Sequence, residues 1–418
     1  MKIIHLTNSD SKGGAARACY RIHKSLQALG EDSYILTQQK LTDDDSVVSV
    51  SENIAGNCSA FIRKGLDWLS IESLSIKERG RFTFPFFGTD ISKNELLNNA
   101  DIISLHWINE GFLSLNSLKK LKQLNKTIIW TFHDMWAFTG GCHYAGGCEK
   151  YLVECRNCPA LKISGYNDQA NKIFNAKKNL YNSMKLSAIT CSNWLANEAR
   201  NSELLKERNI HVIPNPIETD IYIQHDKIES RKKLNLQEDK FLILFVSMTV
   251  KDERKGFSFL INALKKLYKT TKNAENIQLL ILGAADESLI NDLPFKVNLL
   301  GRLSVPTEIA ECYSAADLFV APSLEDNLPN TVMESLSCCT PVIAFNIGGM
   351  PDMIEHKQNG YLAKEKDEED LMNGILWYYN LQENEKKFIN ANARQKVLNN
   401  FTPEIVGKKY QEFYRSFL

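Results

Sequence analysis

The sequence predicts an α/β protein built as two doubly wound domains, and three observations carry the prediction. Apolar strand-like runs alternate with helical periodicity along the chain, the pattern of a parallel sheet covered by helices on both faces. The alternation pauses once, in the charged and weakly apolar stretch from Glu218 to Lys240, which reads as an interdomain connection. The length, 418 residues, suffices for two domains of ordinary size.

Composition narrows the function. Hydrophobic residues at 44% and charged residues at 24% are those of a soluble globular chain. Lys plus Arg and Asp plus Glu both number 50, and this balance argues against a nucleic-acid partner, which calls for a basic surplus. No apolar run approaches the ~20 residues of a membrane span. The opening Met1-Lys-Ile-Ile-His-Leu is strand-like and lacks a secretory apolar region, so a cytoplasmic location is expected. In that reducing compartment ten cysteines indicate free thiols or metal rather than disulfides.

The first half reads in order as follows. Lys2 to Leu6 is a buried strand, Gly13-Gly14 a turn, and Ala15 to Leu29 a helix. Strand, glycine turn and helix suit a phosphate, although the spacing is not the dinucleotide fingerprint. Ser33 to Thr37 is the next strand. Phe61 to Leu69 has the pattern of an amphipathic helix with Arg63 and Lys64 on its polar side. The basic run Lys77, Arg79, Arg81 then precedes Phe82-Thr-Phe-Pro-Phe-Phe87. Such a mixture suits a peripheral inner-membrane contact or a lipid-linked acceptor, and equally a solvated face beside a core segment. Ala100 to Trp107 and Thr127 to Phe132 are strong strands. His133 follows the second directly, at the carboxyl end where α/β proteins bind ligands. Next, four cysteines crowd together: Cys142, Cys148, Cys155 and Cys158. The Cys155-x-x-Cys158 knuckle supplies two tetrahedral ligands, and Cys142 with Cys148 completes a set for structural zinc. His143 is a fifth candidate; a disulfide-capable loop or plain packing is the alternative. Ser187 to Ser192 is a further strand.

In the second half, Phe241 to Ser247 is a strand whose loop holds Lys251, Arg254, Lys255 and Gly256 before a helix with Leu260, Leu264 and Leu267. A lysine at a strand end and helix start suits a diphosphate. Gln278 to Gly283 and Val297 to Gly301 are strands, the latter followed by Arg302 and Leu303. Leu318 to Ala321 ends in a loop with Glu325 and Asp326, then turns at Leu328-Pro329-Asn330 into a helix carrying Thr331 and Glu334. Asp326 and Glu334 lie eight positions apart (334 − 326), so both can face one crevice from a loop and the second helical turn. The helix start itself offers N–H groups to an anion. Thr340-Pro341, another strand and Gly348-Gly349 follow.

The stretch Asp326-Asn-Leu-Pro-Asn-Thr-Val-Met-Glu334 resembles the signature of the retaining glycosyltransferases of family 4, on the GT-B fold. Asp326 stands where that family usually has Glu, and Cys339 where a Gly usually precedes Thr-Pro, which implies a slightly different turn. His-Asp-Met-Trp leading into a cysteine-rich insertion is similar to a subgroup that builds bacterial surface polysaccharides. The resemblance implies two Rossmann-like domains facing across a cleft. Residues 1–217 would form the acceptor-side domain, with the insertion at about 140–160. Residues 218–400 would bind the nucleotide-sugar, and 401–418 would return as a helix to the first domain. It further implies a hexose-type sugar moved from a UDP or GDP donor to a glycan or lipid-linked acceptor, without a catalytic metal. Glu334 would hold the donor ribose, Asp326 and His133 the transferred sugar, and Lys255 with Pro329 to Thr331 the diphosphate. Arg254 or Lys251 would stand in for the family arginine, Arg302-Leu303 would lie beside the base, and Gly13-Gly14 would face the donor phosphates and the acceptor. A nucleotide-sugar epimerase and a non-catalytic nucleotide-sugar-binding subunit are the alternative readings of the same fold.

Overall fold

The computed structural model describes residues 1–418 apart from 52–53, 77–80, 285–289 and 291–292. Lys77 and Arg79 of the basic run therefore lie outside the described residues. The chain divides into two compact units, Met1–Pro216 with Pro403–Leu418, and Ile217–Thr402.

The first unit contains seven strands: β1 (Lys2–Ser9), β2 (Asp32–Gln39), β3 (Val47–Ser49), β4 (Ile102–Leu105), β5 (Thr127–Phe132), β6 (Leu186–Thr190) and β7 (Ile210–Val212). They form one parallel sheet in the order β3-β2-β1-β4-β5-β6-β7. Alternation along each strand sends apolar side chains to both faces. Ile3, Ile102, Ile129 and Ile189 meet Ile22 and Leu26 of the helix Gly14–Ala28 and Tyr410 and Tyr414 of the helix Pro403–Arg415. Ile4, Leu6, Leu105, Trp130 and Phe132 face the other way, into a second core with Leu118, Phe138 and Phe174.

The second unit contains β8 (Phe241–Thr249), β9 (Ile277–Ala284), β10 (Lys296–Gly301), β11 (Leu318–Ala321), β12 (Val342–Phe345) and β13 (Gly360–Ala363), all parallel, in the order β10-β9-β8-β11-β12-β13. Each sheet thus runs outward in one direction from its first strand and then reverses. The reversal falls between β1 and β4 in one unit and between β8 and β11 in the other. Loops that diverge at such a point leave a crevice at the carboxyl ends of the strands.

Two expectations are corrected. The stretch Glu218 to Lys240 is not a bare connection, because the helix Lys227–Lys233 packs into the second unit. Its Arg231 is buried, donates to the carbonyls of Ala315 and Lys240, and pairs with Asp317 at 2.7 Å. An arginine whose three guanidinium nitrogens all find acceptors is compatible with burial, so a charged segment can still pack. The turn at Cys339 is also not a different one. Cys339 has φ +60, and the bonds Cys339 N to Leu336 O and Thr340 N to Ser335 O form the left-handed helix terminus that glycine usually supplies. The cysteine adopts the glycine conformation at a cost of about 1–2 kcal/mol.

Candidate functional site

In the second unit the loops after β8 and β11 meet. A short 3-10 turn, Glu253–Lys255, is capped by Asp252 and ends at Gly256, whose φ is +67. A Cβ on Gly256 would stand 1.8 Å from the carbonyl oxygen of Pro322 at the end of β11, so only glycine allows this approach. The approach carries Lys255 to Asp326, with Nζ 2.6 Å from Oδ2. Arg254 stands 4.0 Å from the same oxygen and donates to Glu325 O at 3.2 Å. Gly348, φ +52, closes the loop from the other side: a Cβ there would lie 1.8 Å from Asp326 O. Burial works to raise the Asp326 carboxyl, but Lys255 and then Arg254 outweigh it and hold the group below the usual carboxylate range.

The helix Asn330–Ser337 starts at Pro329, whose side chain makes no capping bond. Leu328 is buried just before it, and Thr331 lies in its first turn. Glu334 is buried one turn further on, where the Tyr313 hydroxyl donates to its Oε2 at 3.2 Å. Cation, carboxylates and helix start are thus assembled at the reversal between β8 and β11, the place expected for a phosphorylated ligand. Arg302 and Leu303 follow β10, the edge strand, which β9 separates from β8.

In the first unit, Gly13 has φ +95 and nothing within 4 Å of a Cβ, so the turn before the helix Gly14–Ala28 is held open rather than packed. Sequence reasoning picked out His133 but missed the residues that it meets. His5 Nδ1 meets His106 Nε2 at 3.0 Å, His106 Nδ1 meets His133 Nε2 at 3.0 Å, and His133 Nδ1 meets Cys191 Sγ at 3.5 Å. The sign was present in the sequence, since β4 and β5 are each followed directly by a histidine and β1 carries His5. Reading those strands only as apolar runs hid it.

Burial lowers the whole group: His5 and His106 sit well below the ordinary histidine range, and His133 is brought down to about 4. His23, held between Ser33 Oγ and Ser46 Oγ at 2.8 Å each, is also lowered to about 4, by burial first and Lys24 second. Depressed histidines give stability that is complete above the unfolded value near 6.5 and is lost as pH falls toward 4. Buried Asp67, raised to about 7 by desolvation, acts in the opposite sense, but it is one group against four. Melting temperature is therefore expected to fall between pH 7 and 5, with up to about 1.4 kcal/mol lost per pH unit for each buried ring. A flat profile in a pH-resolved thermal melt would contradict these assignments.

Asp134 anchors the insertion that follows. It accepts from His143 Nδ1 at 2.7 Å, Trp107 Nε1 at 3.2 Å and Trp136 N at 2.8 Å. The second nitrogen of His143 lies 2.9 Å from Thr83 Oγ1, so both of its ring nitrogens are engaged in this network. Cys142, Cys148, Cys155 and Cys158 line one small pocket, and none is in a disulfide. The Cys142 thiol is raised, first by its hydrogen bond to Cys158, and burial pushes Cys155 up to about 12. Asp44, from the acidic triplet in the loop before β3, receives Ser46, Tyr20 and Lys24 and serves that loop.

Comparison with known proteins agrees with the geometry. The family described as Glycosyltransferase Family 4 matches residues 12–221, and Glycosyl transferases group 1 matches residues 226–395. An uncharacterized glycosyltransferase of Methanocaldococcus jannaschii is 24% identical over 78% of this chain and 87% of its own. The capsular polysaccharide biosynthesis glycosyltransferase CapM of Staphylococcus aureus is 26% identical over 55% of this chain and 61% of its own. Among solved structures, Anabaena HepE in complex with UDP aligns with a TM-score of 0.66 at 16% identity, covering all of both chains. WaaG, a glycosyltransferase involved in lipopolysaccharide biosynthesis, aligns at 0.63 and 16% identity over 99% of each chain. The chain therefore belongs to the group 1 and family 4 glycosyltransferases of the GT-B fold.

Proposed function

We propose that this glycosyltransferase moves a hexose-type sugar, with retention of configuration, from a nucleoside-diphosphate donor to a glycan or lipid-linked acceptor in surface-polysaccharide synthesis. The observation that supports the donor site most directly is the convergence of Lys255, Asp326, Glu334 and a helix start at the β8–β11 reversal. The diphosphate gains charge as it leaves, and a lysine with oriented amides is the usual means of stabilising such a group. Glu334, fixed by Tyr313, accepts from the ribose hydroxyls, and Asp326 contacts the sugar while holding Lys255 in place. Arg302 and Leu303 border the base. His133 reaches the sugar by exchanging its weaker contact, that to Cys191. Gly13-Gly14 leaves room for phosphate or acceptor. The relationship to HepE, whose structures hold UDP, UDP-glucose, or UDP and glucose, favours a UDP-sugar over a GDP-sugar.

A thermal-shift panel of UDP- and GDP-sugars tests the reading. A ligand at 100 times its dissociation constant adds about 2.7 kcal/mol to the folded state. A rise with one donor class is expected, and no response to any member of either class would overturn the proposal. Turnover of the stabilising donor alone, giving an epimer, would favour the epimerase alternative.

We infer a structural zinc in the insertion from its thiols, although the group of metal-capable side chains whose ligand atoms converge within 4.8 Å among the described residues is His5, Cys19 and His106 rather than these cysteines. The four thiols of the insertion share one pocket, and Lys177, buried beside them, donates to Trp136 O and Thr139 O. Desolvation brings the Lys177 amine down to about 7. A zinc ion with four thiolates carries two negative charges, which would restore the charge on that amine. Bound zinc would contribute folding free energy and no chemistry. Metal analysis of protein purified under reducing, chelator-free conditions is expected to find close to one zinc per chain, and Cys155→Ser should release it. Metal-free protein with an unchanged melting temperature would remove the idea.

A further inference from the structure

We propose that His5, Cys19 and His106 hold one soft monovalent metal ion, of the class of Cu(I), inside the first unit. His5 lies on β1 and His106 directly follows β4. Ser104 stands opposite His5 in the register of these strands, and His106, two residues on, shares its face of the sheet. Cys19 comes from the helix Gly14–Ala28, whose Ile22 and Leu26 pack on Ile3 of β1 and Ile102 of β4. One ligand atom from each of the three, two ring nitrogens and the sulfur, lie within 4.8 Å of one another. All three side chains are buried, and the thiol is in no disulfide. His5 Nδ1 and His106 Nε2 meet at 3.0 Å. An ion about 2.0 Å from each of two nitrogens holds them roughly 3.3–3.5 Å apart, so a small movement separates the hydrogen-bonded pair from a ligated one.

The surrounding hydrogen bonds permit this replacement. The ion takes the place of the proton between the two rings, and that proton moves to His5 Nε2. This nitrogen has no partner among the described residues, so its change from lone pair to N–H breaks no bond. His106 keeps Nδ1–H toward His133 Nε2 at 3.0 Å, the outer contact that fixes the tautomer of a ligating imidazole. Ser104 Oγ gives up a 3.3 Å contact with His106 Nε2 and retains its 2.9 Å bond with the Tyr414 hydroxyl. Cys19 releases its S–H proton to solvent, since the thiolate is the ligand. Charge and ligand number then choose the ion. One thiolate cancels one positive charge, as a buried site requires. Asp10, whose charge reaches Cys19, is held by the amides of Leu41 and Thr42 and by the Thr42 hydroxyl. His23, its ring 6.1 Å from that of His5, is held by Ser33 and Ser46. Among the described residues no fourth such side chain completes a zinc tetrahedron within that distance. A thiolate with imidazole in a set of three suits Cu(I). The site belongs to the first unit and Lys255, Asp326 and Glu334 to the second, so the inference does not rest on the donor reading.

Competition for Cu(I) against the chelator bicinchoninate, without oxygen, tests the proposal. Wild type and Cys19→Ala share the thiols of the insertion, so any uptake there cancels. The wild-type protein is expected to withdraw one more Cu(I) per chain from the chelator than the variant does. Equal uptake would overturn the proposal. A second measurement uses the wild type alone, and so stands whether or not the variant folds. Cu(I) is diamagnetic, and in protein carrying nitrogen-labelled histidine a ring nitrogen of His5 and one of His106 should shift well ahead of those of the exposed His356. Shifts at other histidines with His5 and His106 unmoved would overturn the assignment. A wild-type excess over Cys19→Ala in bound zinc, with none in Cu(I), would overturn the choice of a monovalent ion. Neither measurement reads nucleotide binding or turnover, so failure here and failure of the donor reading are distinguishable.

Discussion

Lys255→Ala is expected to lower kcat/KM by two to three orders of magnitude, roughly the ~2–4 kcal/mol lost when one oriented electrostatic donor is removed. The substitution has a second effect that must be separated. Asp326 is buried and held ionised chiefly by this lysine, so its loss leaves a carboxylate with only Arg254 at 4.0 Å. Breaking one side of a buried pair destabilises more than removing both. Lys255→Ala should therefore also melt earlier, and Lys255→Ala with Asp326→Ala should recover much of the melting temperature while remaining inactive. Glu334→Ala is expected to lose activity on a similar scale, mainly through donor binding. Near-wild-type turnover in both Lys255→Ala and Glu334→Ala, measured with a donor that raises the melting temperature, would contradict the site.

Gly348→Ala is expected to be among the most damaging conservative changes to the second unit. The new methyl would meet Asp326 O at 1.8 Å, on a residue already at φ +52. Left-handed strain in a non-glycine residue costs about 1–3 kcal/mol, and the clash with backbone adds to it. A total near 2–4 kcal/mol corresponds to roughly 5–15 °C in the melting of a unit this size. Gly301→Ala is the control, since Gly301 has φ +70 but nothing within 4 Å of a Cβ. It should show the strain alone, and kcat/KM should fall only for Gly348→Ala because only there does the Asp326 loop move. Similar melting and activity in the two variants would mean that the close approach is not needed.

What could be read in the sequence follows from what is local. Strands such as Thr127–Phe132 and Leu318–Ala321 are continuous apolar runs because both faces are covered, and a run of that kind is visible without a fold. The Asp326 to Glu334 segment was legible because loop, turn and helix start are consecutive. Long-range partners were not: nothing local shows that Gly256 abuts Pro322, or that Tyr313 meets Glu334. The helix Ile54–Leu74 shows a further limit. Periodicity reveals that two faces differ, but not which one a domain will cover, and here polar acceptors in the first unit captured the charged face.

The row of imidazoles has a consequence for how its protons are arranged. Cys191 Sγ has two oxygen acceptors, Asn215 Oδ1 at 3.1 Å and Phe132 O at 3.4 Å, and with its single S–H given to either one its sulfur receives from His133 Nδ1. The bare Nε2 of His133 must then take the proton of His106 Nδ1, and His106 Nε2 that of His5 Nδ1. All three tautomers are set in one direction, ending at a lone pair on His5 Nε2 that finds no partner among the described residues. A hydroxyl that displaced the sulfur would perturb every ring in the row. The nitrogen resonances of His5, wholly shielded from water, would then register a sugar arriving at the mouth of the domain.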